Sequence, residues 1–183
     1  MIVSREGDAV AIYFRMPFTE VAPLFGHRVP GLTNANGEIV FDTLAKGTFE
    51  DADVLAQKVA FNIGGQNVHF DALSMMAHQA IVPQAFETPI DAQIAIAVCG
   101  VPLPEGKPDP DKMTWIGGWY AYPVDAGQDI SISFPETGRQ DEVMSLRVYD
   151  RGRLKDTKTV TIVDGGSIDL PYQLTWRQRL FGG

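Results

Sequence analysis

The sequence predicts a mainly β fold, an antiparallel β-sandwich that is immunoglobulin-like in general shape. Apolar residues recur at every second position in the segments 144–149, 157–162 and 167–170, which is the period of a half-buried strand. Turn residues that include glycine separate these segments at 150–153 and 164–166. We therefore predict three consecutive strands that pair as a β-meander in one wall of the sandwich.

Earlier parts of the chain add one short helix and several further strands to this prediction. The helix is predicted near residues 49–58, because Thr48 is a favoured N-cap residue and acidic residues follow it in the first turn. Alternation or a short apolar run between turn residues predicts the strands. They cover 9–16, 38–44, 58–63, 67–70, 93–99, 114–122 and 128–134.

Four prolines between residues 102 and 111 mark the strongest interruption in the chain. Proline fixes φ and lacks a backbone donor, so this stretch is predicted to be a linker or a long loop. We favour an N-terminal β-rich domain (1–101), this linker (102–111) and a C-terminal meander domain (112–183). A single sandwich with a long internal loop is the alternative.

The chain is acidic, with a net charge of −8, and contains one cysteine, Cys99. Binding to nucleic acid needs a basic face, so we do not predict that class. One cysteine allows no disulfide within the chain, and we place it in the buried strand 93–99. No apolar run is long enough to span a membrane. We expect a cytoplasmic protein or, if a signal peptide has been removed, a periplasmic or secreted one.

A cluster of imidazole and thioether groups suggests copper as a possible cofactor. His69, Met75, Met76 and His78 lie within ten positions of one another, and these side chains are ligands that suit copper. The alternative is that the methionines fill the core and the histidines lie on the surface.

The predicted strand 114–122 is dense in aromatic residues. Strand alternation puts Trp115 and Trp119 on one face and Tyr120 and Tyr122 on the other. We predict that one of these faces is a binding surface, because aromatic side chains dominate interface hot spots. The alternative is that one pair packs in the core while the other covers a sheet edge, and full burial of both tryptophans would contradict the predicted binding surface.

Motifs for catalysis are missing from the sequence. Ser74 is not in a Gly-x-Ser-x-Gly turn, and none of the Gly-Gly pairs opens a phosphate-binding loop before a helix. We therefore predict a non-catalytic binding or scaffold protein that holds a protein partner on the sandwich surface. That partner, or a second copy of the chain, could use the aromatic strand or an unpaired sheet edge. The alternatives are a copper-handling protein and a carbohydrate-binding module.

Overall fold

The computed structural model describes residues 1–17, 19, 36, 49–79, 82–97, 109–138 and 141–172. Within these residues the chain is mainly β, with two sheets and two α-helices, which confirms the predicted fold class. The helices are α1 (Phe49–Lys58) and α2 (Pro89–Ala97), and a 3-10 helix spans Pro110–Lys112. The strands are β1 (Ile2–Glu6), β2 (Ala9–Pro17), β3 (Ala60–Ile63), β4 (Gln66–Asn67), β5 (Asp71–Gln79), β6 (Met113–Ala121), β7 (Ile130–Ser133), β8 (Glu142–Asp150), β9 (Arg153–Ile162) and β10 (Ser167–Leu170).

The strands form two sheets of different size. Sheet I has six strands in the order β5-β6-β2-β1-β8-β9, and sheet II has four in the order β10-β7-β3-β4. The pairing is antiparallel except between β1 and β8, which run parallel. Each sheet combines strands from both sides of residues 102–111, so the two sheets do not coincide with the two predicted domains. The immunoglobulin-like topology is not confirmed.

Some of the predicted features lie outside the described residues. These are the strand predicted at 38–44, the cysteine Cys99 and most of the predicted linker (102–108). The helix predicted near 49–58 is confirmed, since α1 covers those residues.

One large apolar core joins sheet I to sheet II and α1, and we call it the main core. Alternation along β2 sends Val10, Ile12 and Phe14 into it, as the sequence predicts. Phe61 and Ile132 enter the same core from sheet II. Complete burial of such a side chain contributes about 1.5–3 kcal/mol, so this core is the main source of stability in the described fold.

A buried arginine ties the two sheets together beside the main core. Arg5, on β1 of sheet I, is only 2% exposed. Its guanidinium donates to the backbone oxygens of Ala126 and Gln128, before β7, and to that of Leu170 in β10 at 2.9 Å. Burial lowers the pKa of the Arg5 guanidinium below its ordinary value. The three carbonyl acceptors satisfy a charge that would be costly to bury alone.

A second, smaller core lies on the opposite face of sheet I, under α2, and we call this side of the sheet the α2 face. Ile2, Tyr13 and Ile116 reach it from sheet I, and Ala92 and Ala95 from α2. Because alanine adds little bulk, α2 can lie close to the strands. Sheet I is therefore covered on both faces, but much more thinly on this side.

The strand predicted at 93–99 is wrong, because the described part of that segment belongs to helix α2. Thr88 is the N-cap residue: its hydroxyl oxygen accepts from Asp91 N at 3.1 Å, and Asp91 Oδ2 accepts from Thr88 N at 2.9 Å. Pro89 occupies the first helical position, which proline favours. This capping box indicates the start of a helix, although the short apolar run that follows it suggests a strand.

The predicted three-stranded meander is only partly right. β8 and β9 form a hairpin in sheet I, but β10 pairs with β7 in sheet II. The turn after β9 closes with a hydrogen bond from Gly166 N to Val163 O at 2.8 Å and leads the chain to the other sheet. From there Ile168 and Leu170 alternate into the main core. Alternation correctly predicted that residues 167–170 form a strand, but it carries no information about the strand with which β10 pairs.

Candidate functional site

The two faces of the aromatic strand β6 have different environments. Trp115 and Trp119 are 0% and 2% exposed and belong to the main core, so the tryptophan face cannot be a binding surface. Trp119 stacks against Phe14, with ring centroids 4.5 Å apart. Tyr120 is 36% exposed, and Tyr122, just beyond the strand, is 61% exposed. Of the four aromatic residues in the predicted surface, only the two tyrosines are therefore exposed.

A continuous row of paired residues crosses the α2 face of sheet I through Tyr120. Paired residues on adjacent strands point to the same face, so this row is one strip of surface. Its members from β5 to β9 are Asp71, Tyr120, Ala11, Ser4, Tyr149 and Leu154. Two small residues thus lie in the middle of the row, with a tyrosine on each side of them.

The four inner residues of this row (Tyr120, Ala11, Ser4 and Tyr149) line the floor of a groove that we call the tyrosine groove, with a volume of about 610 Å³. The start of α2 forms one wall, through Pro89, Ile90 and Gln93, and Glu6 and Gly152 also line the groove. Small floor residues between larger neighbours leave a depression that a side chain from another molecule can fill.

Hydrogen bonds hold the aromatic residues of the groove in place. The Gln93 amide donates to the Tyr13 hydroxyl oxygen at 2.8 Å, and the Tyr149 hydroxyl donates to Glu87 O at 2.8 Å. Burial raises the pKa of Tyr13 above its ordinary value of 10.0, so its hydroxyl stays protonated. The rings are thus fixed before any ligand arrives, which limits the entropy lost on binding.

Aliphatic side chains around the groove are unusually exposed. Leu73 is 40% exposed, and two residues of α2, Ile90 and Ile94, are 66% and 54% exposed. Leu73 and Ile90 line the groove itself. Clusters of exposed apolar side chains around a concave surface mark interaction sites more often than isolated ones do.

The four predicted copper ligands do not lie together. Met75 is buried in the main core, whereas the alternation of β5 turns Met76 and His78 to the other face. His69 precedes β5 and is mainly exposed, with its Nε2 3.5 Å from a carboxylate oxygen of Asp71. Among the described residues, no group of three or more His, Cys, Asp or Glu side chains could hold a metal ion.

His78 instead lines a separate pocket on the α2 face, which we call the His78 pocket. It has a volume of about 310 Å³, and its described lining residues include Arg15, Gln84 and Thr114. His78 is 2% exposed, and its Nε2 lies 2.9 Å from Ala95 O in the last turn of α2. The sequence singles out this histidine as a metal ligand but does not predict its place beside Arg15 in this pocket.

The edges of sheet I are β5 and β9 within the described residues. The first five residues of β9, 153–157, are exposed, and the β8–β9 register shifts between Val148 and Tyr149. Such irregularities weaken the ability of an edge to accept another strand. Self-association through a sheet edge stays a prediction.

Comparison with known proteins adds no information about function. No family model, curated protein or solved structure matches this chain. None of the helices in the described part of the chain has the length and apolar character needed to cross a membrane.

Proposed function

We propose that this chain is a non-catalytic binding protein that holds a protein partner in the tyrosine groove. The observation that carries the proposal is the row of small residues flanked by tyrosines, with Leu73 and Ile90 exposed beside it. Tyrosine is enriched among residues that dominate binding energy, because its ring buries a large area at a small entropic cost.

The charge around the groove indicates the chemistry of the partner. Glu6 is the one charged residue among the described lining residues, and Asp71 lies beside Tyr120 in the row. Glu6 Oε1 accepts from the Ser4 hydroxyl at 3.0 Å and from Gly152 N at 3.2 Å, which fixes the carboxylate at the groove. The whole chain carries a net charge of −8. A partner segment with an apolar anchor next to a lysine or arginine fits this surface.

A carbohydrate ligand is less well supported by the same surface. The predicted sugar platform depended on exposed aromatic faces of β6, and its two tryptophans are buried. The remaining surface combines Tyr120 with aliphatic Leu73 and Ile90, a composition typical of protein recognition.

Selection from a displayed peptide library against the immobilised protein tests the proposal. We expect the enriched peptides to share an apolar or aromatic residue beside a basic one. Replacing Tyr120 by alanine should weaken binding of an enriched peptide by about 2 kcal/mol, roughly thirtyfold, because it removes one of the two tyrosines that flank the small residues of the groove floor. Fluorescence anisotropy with the synthetic peptide measures this loss.

Tyr122→Ala is the matched control, since Tyr122 is more exposed than Tyr120 but does not line the groove. It should leave peptide affinity within about twofold of the original. Equal losses for the two variants would contradict the proposal, and so would a selection that enriches no peptide. Binding of an oligosaccharide from a glycan array that is lost in Tyr120→Ala would favour the carbohydrate alternative instead.

A further inference from the structure

Helix α2 runs across the strands of sheet I, and the tyrosine groove lies along one side of it. The helix starts near β8, where the Tyr149 hydroxyl donates to Glu87 O at 2.8 Å. Its last turn lies over β5, where Ala95 O is 2.9 Å from His78 Nε2. The groove extends over the same strands, from Leu73 on β5 to the turn after β8. It is therefore a strip of sheet face beside a helix that already packs on that face.

The described floor of the groove presents side chains, because its strands use their backbone groups on one another. The floor is formed by β6, β2, β1 and β8, and each of these strands has a paired neighbour on both sides in sheet I. Their backbone donors and acceptors therefore lie in the plane of the sheet. A segment that entered the groove in an extended conformation would bury its own backbone groups without partners. An α-helix satisfies those groups internally and can pack on a sheet face, as α2 does.

We propose that the partner segment in the tyrosine groove is an amphipathic α-helix that packs on sheet I alongside α2. This inference rests on the peptide-binding function proposed above and specifies the conformation of the bound segment. The groove crosses five strands, from β5 to β8, a distance of about 19 Å that a helix of about 13 residues spans. Its volume of about 610 Å³ accommodates apolar side chains from one helical face and leaves the opposite face in solvent.

The shape of the groove predicts the sequence pattern of the bound helix. Tyr120 and Tyr149 are three strand spacings apart, about 14 Å, and Ala11 and Ser4 lie between them in the row. A large apolar residue fits over the two small ones, and residues one helical turn to either side of it meet the tyrosines. Ile90, 66% exposed on α2, packs against the flank of the same helix. Apolar residues are therefore expected at intervals of three and four positions.

Negative charge at both ends of the groove complements basic residues at both ends of such a helix. Asp71 lies beside Tyr120 at one end, and its side chain is mainly exposed. Glu6 lies at the other end, where its carboxylate accepts from Gly152 N at 3.2 Å. A lysine or arginine near each terminus of the helix thus meets a carboxylate, and the net charge of −8 favours the approach of a basic segment.

Two displayed peptide libraries of the same amino-acid composition test the conformation. Both consist of peptides of about 14 residues built from leucine, alanine, glutamine and lysine, long enough to cross the groove. Leucine recurs every three or four positions in the helical library and every second position in the alternating library. We expect the immobilised protein to enrich peptides from the helical library only. NMR spectra of an enriched peptide should show the sequential amide contacts of a helix when the protein is added.

Proline substitution in an enriched peptide separates a bound helix from other conformations. Proline in the central turn should weaken binding about a hundredfold, because it removes a helical hydrogen bond and clashes with the preceding turn. Proline at the first helical position is the matched control and should change the affinity by less than about threefold. Fluorescence anisotropy measures both.

A variant of α2 tests whether the helix lies beside it. Ile90→Ala should weaken binding of the enriched peptide about tenfold, because Ile90 lines the groove on the α2 side. Val143→Ala, at an equally exposed aliphatic position on β8 that does not line the groove, is the matched control and should leave the affinity unchanged.

The outcomes distinguish this inference from the proposed function. Enrichment from the alternating library, or tolerance of proline in the central turn, would overturn the helical conformation and leave peptide binding in the groove intact. Enrichment from neither library would overturn both. A helical peptide that keeps its full affinity for Ile90→Ala and Tyr120→Ala would show that the helix docks elsewhere on the chain.

Discussion

The two faces of sheet I differ in how tightly they are covered, and adjacent glycines in β6 show the difference. A Cβ on Gly117 would enter the ring of Phe14 and lie 3.1 Å from Met75 Cγ, in the main core. A Cβ on Gly118 would lie 2.9 Å from Tyr13 Cδ1 and 3.2 Å from Cδ1 of Ile96, under α2. Among the described residues, one face is covered by a second sheet, whereas the other is partly covered by helix α2.

The difference indicates that one face of sheet I mainly stabilises the fold and that the other face mainly serves for binding. The main core contains Trp115, Trp119 and most of the buried apolar residues that the structure describes. The α2 face contains the tyrosine groove, which we interpret as a binding site. We therefore expect substitutions on the first face to lower the free energy of unfolding strongly, and substitutions on the second to change binding more than stability.

The largest effect on stability should come from replacing Arg5 by methionine. This change leaves the carbonyls of Ala126, Gln128 and Leu170 without their shared donor, at an expected cost of about 3–5 kcal/mol. Guanidinium chloride unfolding measures the loss. Arg153→Met, at an exposed position of β9, should change stability by less than about 0.5 kcal/mol. Similar results for the two variants would refute the role of Arg5 as a tie between the sheets.

Alanine at the two adjacent glycines compares the faces directly. Gly117→Ala should destabilise the protein by about 2–3 kcal/mol, because Phe14 and Met75 are fixed in a close-packed core. Gly118→Ala should cost less, about 1–2 kcal/mol, because half-buried Ile96 and exposed Leu73 can shift, although the buried Tyr13 ring 2.9 Å away must also move. Midpoints of urea unfolding for the two variants measure the loss of stability in each. The reverse order would mean that the α2 face is the more rigid one.

Removing the N-cap hydroxyl should loosen α2 alone. Thr88→Ala loses the hydrogen bond from Asp91 N and should cost about 1 kcal/mol. Amide hydrogen exchange should accelerate in α2 and remain slow in β2 and β6. Equal acceleration of exchange in α2, β2 and β6 would show that the substitution destabilises the whole fold and does not loosen α2 alone.

The smallest effect is a pH dependence that comes from His78. Burial lowers its pKa below the ordinary 6.5, so the unfolded chain binds a proton that the folded chain rejects. The free energy of unfolding should therefore fall as the pH decreases through 6.5 and level off below the folded-state pKa. His78→Gln should flatten this part of the profile. If His78→Gln has the same pH profile as the original chain, the pH dependence does not come from His78.

Prediction from the sequence was correct for features that depend only on residues close together in the chain. Alternation at Val10, Ile12 and Phe14 predicted both a strand and its shared face, and the capping signal at Thr48 predicted α1. It failed at α2, where a short apolar run suits a strand or a buried helix and Thr88 was overlooked. The same alternation rule could have separated Met75 from Met76, because neighbours in a strand point to opposite faces.

The rest of the site depended on contacts between distant parts of the chain. Alternation placed Trp119 and Tyr120 on opposite faces but could not say which face points inward. The groove floor joins Ala11 and Ser4 to Tyr149, and that neighbourhood follows from the parallel pairing of β1 with β8. Pairing over such separations has no signature in a single sequence.

The position of β1 between β2 and β8 has a consequence for synthesis on the ribosome. The register pairs Ile2 with Arg147, so one side of β1 stays without its partner until β8, 145 positions further along, has been translated. Until then the nascent protein presents an open strand edge, which is a site for chaperone capture or for misassembly with neighbouring chains. Because sheet I is completed only when β8 pairs with β1, this sheet should form late and slowly relative to translation.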